Sequence, residues 1–358
     1  MSAFKALRGV GVSACLAMGL VLAVASGAWA AAPPIYLCIG TKASQGVKSG
    51  GTEGKCPVAT KTVTYDKVAL PSEEAEQQKL LSILPDIKYV ASGVGGKPTI
   101  QVSGANLQIL SGSGSTNGAV NGAGNLVIGY DENAGKHEQT GSHDLVLGEE
   151  QTFTSFASIL GGFRNTASGS ESFVVGEGNT ASGQWASVSG GRGNKAEEGD
   201  SVSGGSGNTA ENGTGDWSSV SGGAGNTAAG LNSSVSGGGG NRANWINTSV
   251  SGGEGNAAGN MGDSVSGGRD NYADGGGYAY GEHPGGASVS GGEHNNASQI
   301  GSSISGGEYN VTDGCWAWAG GGYKNKSGTT EGFCKGGTFT SIFGGKELKA
   351  THQYQAIP

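Results

Sequence analysis

Aromatic and histidine side chains are the residues of this sequence best suited to recognition. An exposed ring offers a flat apolar area on which a sugar can stack or a partner protein can anchor. Trp185 and Trp217 each precede a repeated valine by three residues, which places both on one edge, two repeats apart. We predict a candidate binding surface made of Trp185, Trp217, Tyr272, Tyr278, Tyr280, His283, Trp316 and Trp318. The alternative role for these rings is capping and turn packing.

One unusually long repeat adds a second reason to expect binding. The segment from Asn271 to Asn295 spans 24 residues, against a usual 14 or 15, and it contains Pro284. Because proline cannot donate a hydrogen bond to a strand ladder, this segment must leave the ladder and project outward. Repeat scaffolds commonly place recognition in such loops, so we predict that residues 275–286 contribute to ligand contact.

The cysteines predict disulfides rather than a metal site. Cys38 and Cys56 are separated by 18 residues, and Cys315 and Cys334 by 19, near opposite ends of the sequence. Three pairings are formally possible, and we predict the two local ones, because exported chains keep disulfides. Zinc is disfavoured, since no CxxC pair or neighbouring histidine completes a set of four ligands.

Acidic and histidine residues form no catalytic pattern. His137 and His143 lie near Glu138 and Asp144 in a predicted loop and recur at no repeated position. The scattered glutamates are better explained as surface residues that keep the protein soluble than as the acid pair of a glycosidase. No helix follows the Gly-x-Gly elements, as a dinucleotide site would require. We therefore expect a non-enzymatic protein without a cofactor.

Calcium-binding nonapeptide rolls are the strongest rival motif. Gly190-Gly191-Arg192-Gly193-Asn194 begins as such a repeat does. The next residue must be an aspartate to offer calcium an oxygen ligand, and here it is Lys195. The period also differs from nine residues, so we expect no calcium ladder.

The elements that must position these residues are short repeats. Glycine accounts for 73 of the 358 residues, without the Gly-X-Y period of collagen or the charge and proline of a disordered tail. The pentapeptide Ser-Val-Ser-Gly-Gly occurs seven times, first at Ser187 and last at Ser288, and an isoleucine variant begins at Ser303. An asparagine follows the second glycine by three residues, and most asparagine-to-asparagine steps are 15 or 14 residues. Degenerate copies lie on both sides of this block.

A unit of this length predicts an all-β, parallel β-solenoid (β-roll) with coils of 14–15 residues. Each coil has room for two short strands and two turns. Val188 and its equivalents point inward in this prediction, while flanking serines point outward. Gly-Gly and Gly-x-Asn supply corners with positive φ, and the asparagines are placed to form a ladder.

The expected core is thin, which predicts association. One coil would bury about one valine and one alanine, worth roughly 2–4 kcal/mol. Ordering its 15 residues costs on the order of 1 kcal/mol each. Side-by-side packing of several chains would offset this deficit, so we expect an obligate oligomer.

The repeat unit S-V-S-G-G-x-x-N-x-A-x-G resembles the head repeat of YadA-like trimeric autotransporter adhesins. That family's repeat reads approximately S-V-A-I-G-x-x-S-x-A-x-G, and the copy Asn125-Leu126-Val127-Ile128-Gly129 is similar to it. The resemblance covers roughly residues 125–345. It implies a left-handed parallel β-roll, three chains packed side by side, and an adhesin role at a surface. The sequence departs from the family in lacking a long coiled-coil stalk and a C-terminal anchor pattern.

The N-terminus reads as a targeting segment. Lys5 and Arg8 precede an apolar run, and Ala28-Trp29-Ala30 fits a small-x-small cleavage site. No later segment has the 18 or more apolar residues of a membrane helix, so we expect no integral membrane segment after cleavage. Loss of Lys5 and Arg8 shifts the formal net charge from −8 to −10. A chain with this negative charge repels the phosphates of nucleic acids, so we expect no nucleic-acid partner.

Residues 71–124, which connect the N-terminal region to the repeats, contain the one predicted short helix. Ser72 is a plausible N-cap, and Leu80, Ile83, Ile87 and Val90 form an apolar stripe that Pro85 ends or kinks. This helix packs on its own chain or contributes to an oligomer neck. Residues 98–110 alternate apolar and polar side chains, which predicts one or two strands.

We therefore divide the chain into a signal peptide (1–30), a small disulfide-containing region (31–70), a helix and β connector (71–124), a β-roll repeat domain (125–345) and a C-terminal tail (346–358). The expected function is that of an exported homotrimer, secreted or at the cell surface, with an adhesin-like or structural role and a glycan or protein as partner. The alternative function is a fibre or tail-type assembly element. A polysaccharide-active β-helix enzyme would need clustered carboxylates on one strand face.

Overall fold

The structure is a computed structural model of the 358-residue chain. It describes the backbone of residues 37–40, 47–49 and 60–63, then residues 78–79, and residues 81–358 except 134, 212–216, 276–285, 329–333 and 335–338. The predicted signal peptide and the side chains of Cys38 and Cys56 lie outside the described part, so both remain predictions. The chain forms two units, Met1–Asn106 and Leu107–Pro358.

The first unit holds two small antiparallel sheets. One contains strands Leu37–Gly40, Val47–Ser49 and Thr60–Val63. A short helix includes residues 81–83, and the 3-10 turn Leu84–Asp86, which contains Pro85, follows it directly. The second sheet pairs Ile87–Val90 with Thr99–Val102, and a 3-10 turn, Val94–Gly96, lies between them. No helix in the described residues is both long and apolar enough to cross a membrane.

Of the two effects predicted for Pro85, the structure shows the first, because the helix ends there. Ile87 and Val90 lie in a strand, because the proline ends the helix and the segment Thr99–Val102 is available as a pairing partner. The predicted strand region 98–110 supplies only Thr99–Val102, since residues 105–110 have no regular structure.

The second unit is an all-β parallel solenoid built from two long sheets. We call the first the valine sheet; its 15 strands are Leu126–Ile128, Leu145–Glu149, Ile159–Phe163, Phe173–Glu177, Ser187–Val188, Ser201–Val202, Ser219–Val220, Ser234–Val235, Ser249–Val250, Ser264–Val265, Ser288–Val289, Ser303–Ile304, Trp318–Ala319, Ser341–Ile342 and Ala356–Ile357. We call the second the alanine sheet; its 13 strands are Thr152–Phe153, Thr166–Ala167, Thr180–Ala181, Lys195–Ala196, Thr209–Ala210, Thr227–Ala228, Arg242–Ala243, Ala257–Ala258, Tyr272–Ala273, Asn296–Ala297, Val311–Thr312, Lys326–Ser327 and Lys349–Ala350.

The predicted solenoid is thereby confirmed, and its register follows the repeat. Each strand pairs with the equivalent residues one coil later, for example Val235 with Val250 and Ala243 with Ala258. These side chains are almost completely buried between the two sheets. Residues 346–358, predicted as a tail, instead continue the ladder with Lys349–Ala350 and Ala356–Ile357.

Two further columns fill the core, and each contains polar residues. The repeated asparagines are 0–1% exposed. Asn241 Oδ1 accepts from the backbone N–H of Asn256, and its Nδ2 donates to the carbonyls of Gly237 and Gly253. The ladder therefore joins amide side chains mainly to backbone groups of the next coil. The second column, immediately before each Ser-Val pair, carries small buried residues such as Ser233.

Candidate binding surface

One turn of every coil forms an edge of the solenoid on which exposed aromatic residues recur. We call it the aromatic edge and define it by the residue three positions before each inward residue of the valine sheet. From the third complete coil onward its members are Glu171, Trp185, Gly199, Trp217, Asn232, Asn247, Gly262, Gly286, Gly301, Trp316, Phe339 and Tyr354.

Backbone geometry fixes the direction of these side chains. Trp185, Trp217, Trp316 and Tyr354 have φ values of 61°, 52°, 59° and 60°, in the left-handed region that favours glycine. Backbone hydrogen bonds hold this conformation: the N–H of Trp185 donates to Ser170, for example. The chain thus places large rings at positions where other coils carry glycine or asparagine.

Trp185 and Trp217 form a stacked pair. Their ring centroids are 6.3 Å apart and their planes differ by 12°, although one further coil lies between the two coils to which they belong. The residue of that intervening coil is Gly199, and a Cβ there would lie 3.5 Å from the Trp217 ring. Trp185 Nε1 and Gln184 Nε2 both donate to Glu171 Oε2, at 2.8 and 2.9 Å. The two rings remain 51% and 60% exposed.

A second aromatic group lies farther along the same edge. The Trp316 ring covers the α-carbon of Gly301 in the preceding coil, where a Cβ would collide with it. Phe339 and Tyr354, in the next two coils, stack with their centroids 5.7 Å apart and their planes 4° apart. Cys315 and Cys334, beside this group, form a disulfide.

The other predicted site residues do not share this edge. Tyr272 points outward from the alanine sheet and its hydroxyl lies over Gly259. Burial raises the pKa of Tyr272, with a smaller contribution from the charge of Asp274. Trp318 lies on the outer face of the valine sheet, half-buried, against Phe343 and with Nε1 donating to Ser305 Oγ. Tyr278, Tyr280 and His283 lie outside the described residues.

Sequence reasoning missed Phe339, Tyr354 and Glu171 as edge residues. Phe339 and Tyr354 also precede an inward isoleucine by three residues, namely Ile342 and Ile357. Aligning the degenerate copies on their inward residue would have found both rings. The same alignment places Glu171 three residues before the inward Val174, but only the structure shows that Trp185 donates to it.

The opposite turn of the solenoid holds a different exposed cluster. His294 stacks on Tyr309 with centroids 4.7 Å apart, and Lys324 Nζ lies 5.8 Å from the Tyr309 centroid. His294 Nε2 is also 3.4 Å from Glu293, which Arg269 contacts. This cluster contains both positively and negatively charged side chains, which contact one another. Among the described residues, no group of three or more His, Cys, Asp or Glu could hold a metal ion.

Asp144 is a buried carboxyl group in the small-residue column. Its Oδ1 accepts from the N–H of Ser158 at 2.8 Å, whereas its Oδ2 is buried without a hydrogen-bond partner. Burial raises the pKa of Asp144 from 3.8 to about 6. The folded state therefore favours the protonated carboxyl, so this group lowers stability once both states are ionised.

Replacing Asp144 by serine, the residue of the next two coils, should stabilise the protein at pH 8 by about 1 kcal/mol. The gain should shrink as the pH falls from about 6 towards 4, because the carboxyl becomes protonated in the folded chain over this range, while the unfolded chain takes up its proton only near pH 3.8. Thermal unfolding of D144S and the wild type at pH 4 and pH 8 measures this difference. A gain that is equal at both pH values would contradict a role for ionisation.

Comparison with known protein families and with curated proteins gave no match to this chain. The site must therefore be interpreted from its own geometry.

Proposed function

We propose that this chain is an exported, non-enzymatic β-roll protein that assembles as a homotrimer. In this proposal it is secreted or lies at the cell surface, where it acts as an adhesin-like or structural element similar to the heads of YadA-like adhesins. The parallel solenoid is compatible with such a β-roll.

The observation that carries the proposal is an apolar outer face at the start of the valine sheet. Outward positions there hold Ile159 and Phe173, which are 39% and 37% exposed. The strand Leu126–Ile128 is similarly exposed at the end of the ladder. From Ser187 to Ser303 the equivalent positions carry serine, and Trp318 and Ala356 depart from serine only in the last coils. A continuous run of exposed apolar residues over successive strands of a face favours packing against other copies there.

Glycine usage supports close approach along the rest of this face. In six of the seven Ser-Val-Ser-Gly-Gly repeats the first glycine, such as Gly237, has no positive φ, and no atom lies within 4 Å of the point that an added methyl group would occupy. The fold of one chain therefore does not require glycine there. Glycine lowers stability through the entropy of the unfolded chain, and a bare strip would let a neighbouring backbone pack closely.

The non-enzymatic part of the proposal is supported by the outer face of the alanine sheet. The outward residues within its 13 strands, such as Thr209 and Arg242, include no acid, and the carboxylates of Glu197 and Glu211, just beyond two of these strands, both contact Lys195 Nζ at 2.8 Å. A polysaccharide-active enzyme would need paired carboxylates on such a face. A fibre or tail-type element remains the alternative, and cell fractionation separates it from a surface protein.

Light scattering on residues 31–358 should give three times the mass of one chain. Replacing Ile159 and Phe173 by serine, the residue of later coils, should lower the assembly mass towards that of single chains at micromolar concentration and, because the core of one chain is thin, should also lower the unfolding midpoint. Thr166→Ser, on the alanine sheet, serves as the control and should remain trimeric. A folded monomer in the wild type, or a trimer unaffected by the double change, would contradict the proposal. Fractionation of expressing cells should place the protein outside the cytoplasm.

A further inference from the structure

We propose that residues 87–102, the hairpin formed by strands Ile87–Val90 and Thr99–Val102, attach the protein to the surface of an anionic lipid bilayer. This inference rests on the proposed function, because it names a partner for the part of a cell-surface protein that lies outside the solenoid.

One face of the hairpin consists of large apolar and aromatic side chains. Ile87 pairs with Val102 and Tyr89 with Ile100, and directly opposed residues of an antiparallel pair point to the same face. Their exposed fractions are 43%, 44%, 63% and 66%, in that order. An isolated two-stranded sheet is only marginally stable in water, so this face needs an apolar partner. Tyrosine is also a residue that collects where lipid meets water.

The turn of the hairpin can enter an apolar medium because its backbone is paired internally. The N–H groups of Gly93, Gly96 and Lys97 donate to carbonyl oxygens of the same turn at 2.8, 2.9 and 3.1 Å. The N–H of Val94 donates to Thr99 Oγ1 at 3.0 Å. Unpaired backbone groups are costly to bring into lipid, and this turn carries few of them. Val94, at the tip, is 81% exposed.

Charge selects an anionic surface. The charged residues of the segment 78–106 are Lys79, Asp86, Lys88 and Lys97, which give it a formal net charge of +2. Residues 107–358 contain 11 basic and 23 acidic residues, a formal net charge of −12. Anionic headgroups therefore attract the hairpin and repel the solenoid unit.

Two of the lysines belong to the hairpin itself. Lys97 directly follows the turn Val94–Gly96, and Lys88 lies on the face opposite Tyr89; both are exposed. A lysine can pack its methylene chain on apolar surroundings while its ammonium group stays in water. A hairpin that inserts its tip and its apolar face can thus keep both charges at the level of the lipid phosphates.

A second copy of the chain is the competing occupant of the apolar face. Copies that met there would bring the identical lysines of their hairpins close together, with Asp86 as the one acid of the segment to offset them. An anionic bilayer instead offers an apolar layer and the opposite charge at once.

Cosedimentation of residues 31–358 with lipid vesicles tests the proposal. We expect binding to vesicles made of equal parts of phosphatidylcholine and phosphatidylglycerol to be at least tenfold tighter than to phosphatidylcholine alone. Sodium chloride should weaken it, because salt screens the attraction to the headgroups. Inorganic phosphate at the same ionic strength should not compete, since it offers no apolar layer.

Two double variants separate the apolar contribution from the electrostatic one. Tyr89→Thr with Ile100→Thr removes apolar area while keeping residues suited to strands, and should weaken binding to the mixed vesicles at least tenfold. Lys88→Gln with Lys97→Gln should also weaken it at least tenfold, but should leave binding to phosphatidylcholine alone within twofold of the wild type. The glutamine variant changes only exposed side chains, so it remains informative if the threonine variant unfolds the hairpin.

Matched controls lie on the solenoid. Tyr309→Ser removes a ring that is 42% exposed, and Lys349→Gln removes an exposed lysine of the alanine sheet. Both should bind the mixed vesicles within twofold of the wild type.

Four results would overturn the inference: no binding to the mixed vesicles, equal binding to both kinds of vesicle, competition by inorganic phosphate, or unchanged affinity in both double variants. A fall in assembly mass of the threonine variant without vesicles would also overturn it, since the apolar face would then join copies of the chain. Failure of the proposed function is distinguishable. A trimer outside the cytoplasm that ignores vesicles rejects only this inference, whereas a monomer that binds them rejects only the trimer.

Discussion

Replacing Gly238 by alanine should destabilise the protein by about 3 kcal/mol or more, whereas the same change at the adjacent Gly237 should be neutral or stabilising for the fold of each chain and act only on its packing against other copies. A methyl group on Gly238 would collide with the carbonyl oxygen of Gly253 in the next coil. It would also lie 2.6 Å from Nδ2 of Asn241, at a φ of 83° that alanine resists. Nothing lies within 4 Å of the equivalent point on Gly237.

Thermal unfolding of G237A and G238A, followed by circular dichroism, measures the contrast. The two variants have the same composition and differ only in which neighbour carries the methyl group. Because coils contact mainly their neighbours, hydrogen exchange should also show the loss of protection in G238A concentrated around residues 234–256. Equal destabilisation in both variants would show that the whole Gly-Gly pair, and not its second member, forms the corner.

In the assembled protein the Gly237→Ala change also tests whether Gly237 lies at the interface between chains. If chains approach closely along the bare strip, G237A should weaken the assembly although it leaves one chain unstrained. A loss of trimer mass with unchanged secondary structure would therefore place Gly237 at the interface between copies.

The repeat period was sufficient to predict the solenoid, because strand alternation and coil length leave few alternatives. Val235 and Ala243 could be assigned to the core on the same basis. The edge position of Trp185 and Trp217 followed from their common distance to an inward valine. These inferences depend on local periodicity, which a single sequence contains.

Features that depend on neighbouring coils were less accessible. The buried column of small residues mixes Ser233 with acids such as Asp144 and Asp263, so no hydrophobic pattern marks it. Asp263 is accommodated because it accepts from the backbone of Asn260, Gly275 and Ala287, which lie far apart in sequence. The spacing through Ile87 could not decide whether Pro85 kinks or ends the helix for a related reason, since the strand that pairs with Ile87 lies elsewhere in the sequence.

Replacing Asn241 by alanine should cost about 3 kcal/mol, the second large effect that we expect. Asn241 is fully buried, and its side chain makes three hydrogen bonds, at 2.7, 2.9 and 2.9 Å. Truncation leaves the N–H of Asn256 and the carbonyl of Gly237 without these partners, in a site that the side chain had filled. Ser236→Ala, an exposed change in the same coil, is the control and should alter stability by less than about 0.5 kcal/mol.

The variant Asn241→Asp tests the donor role of this side chain separately from its acceptor role. The aspartate keeps an oxygen for the N–H of Asn256 but turns a second oxygen towards the carbonyls of Gly237 and Gly253. Repulsion and burial should raise the pKa of the new carboxyl above its usual value, so the folded state binds a proton more tightly than the unfolded state. The variant should therefore be least stable at pH 8 and recover as the pH falls towards 4, where a protonated carboxyl can donate to one carbonyl. Unfolding midpoints of N241D relative to the wild type across this range provide the measurement, and a deficit that does not change with pH would mean that the Nδ2 donor does not face these carbonyls.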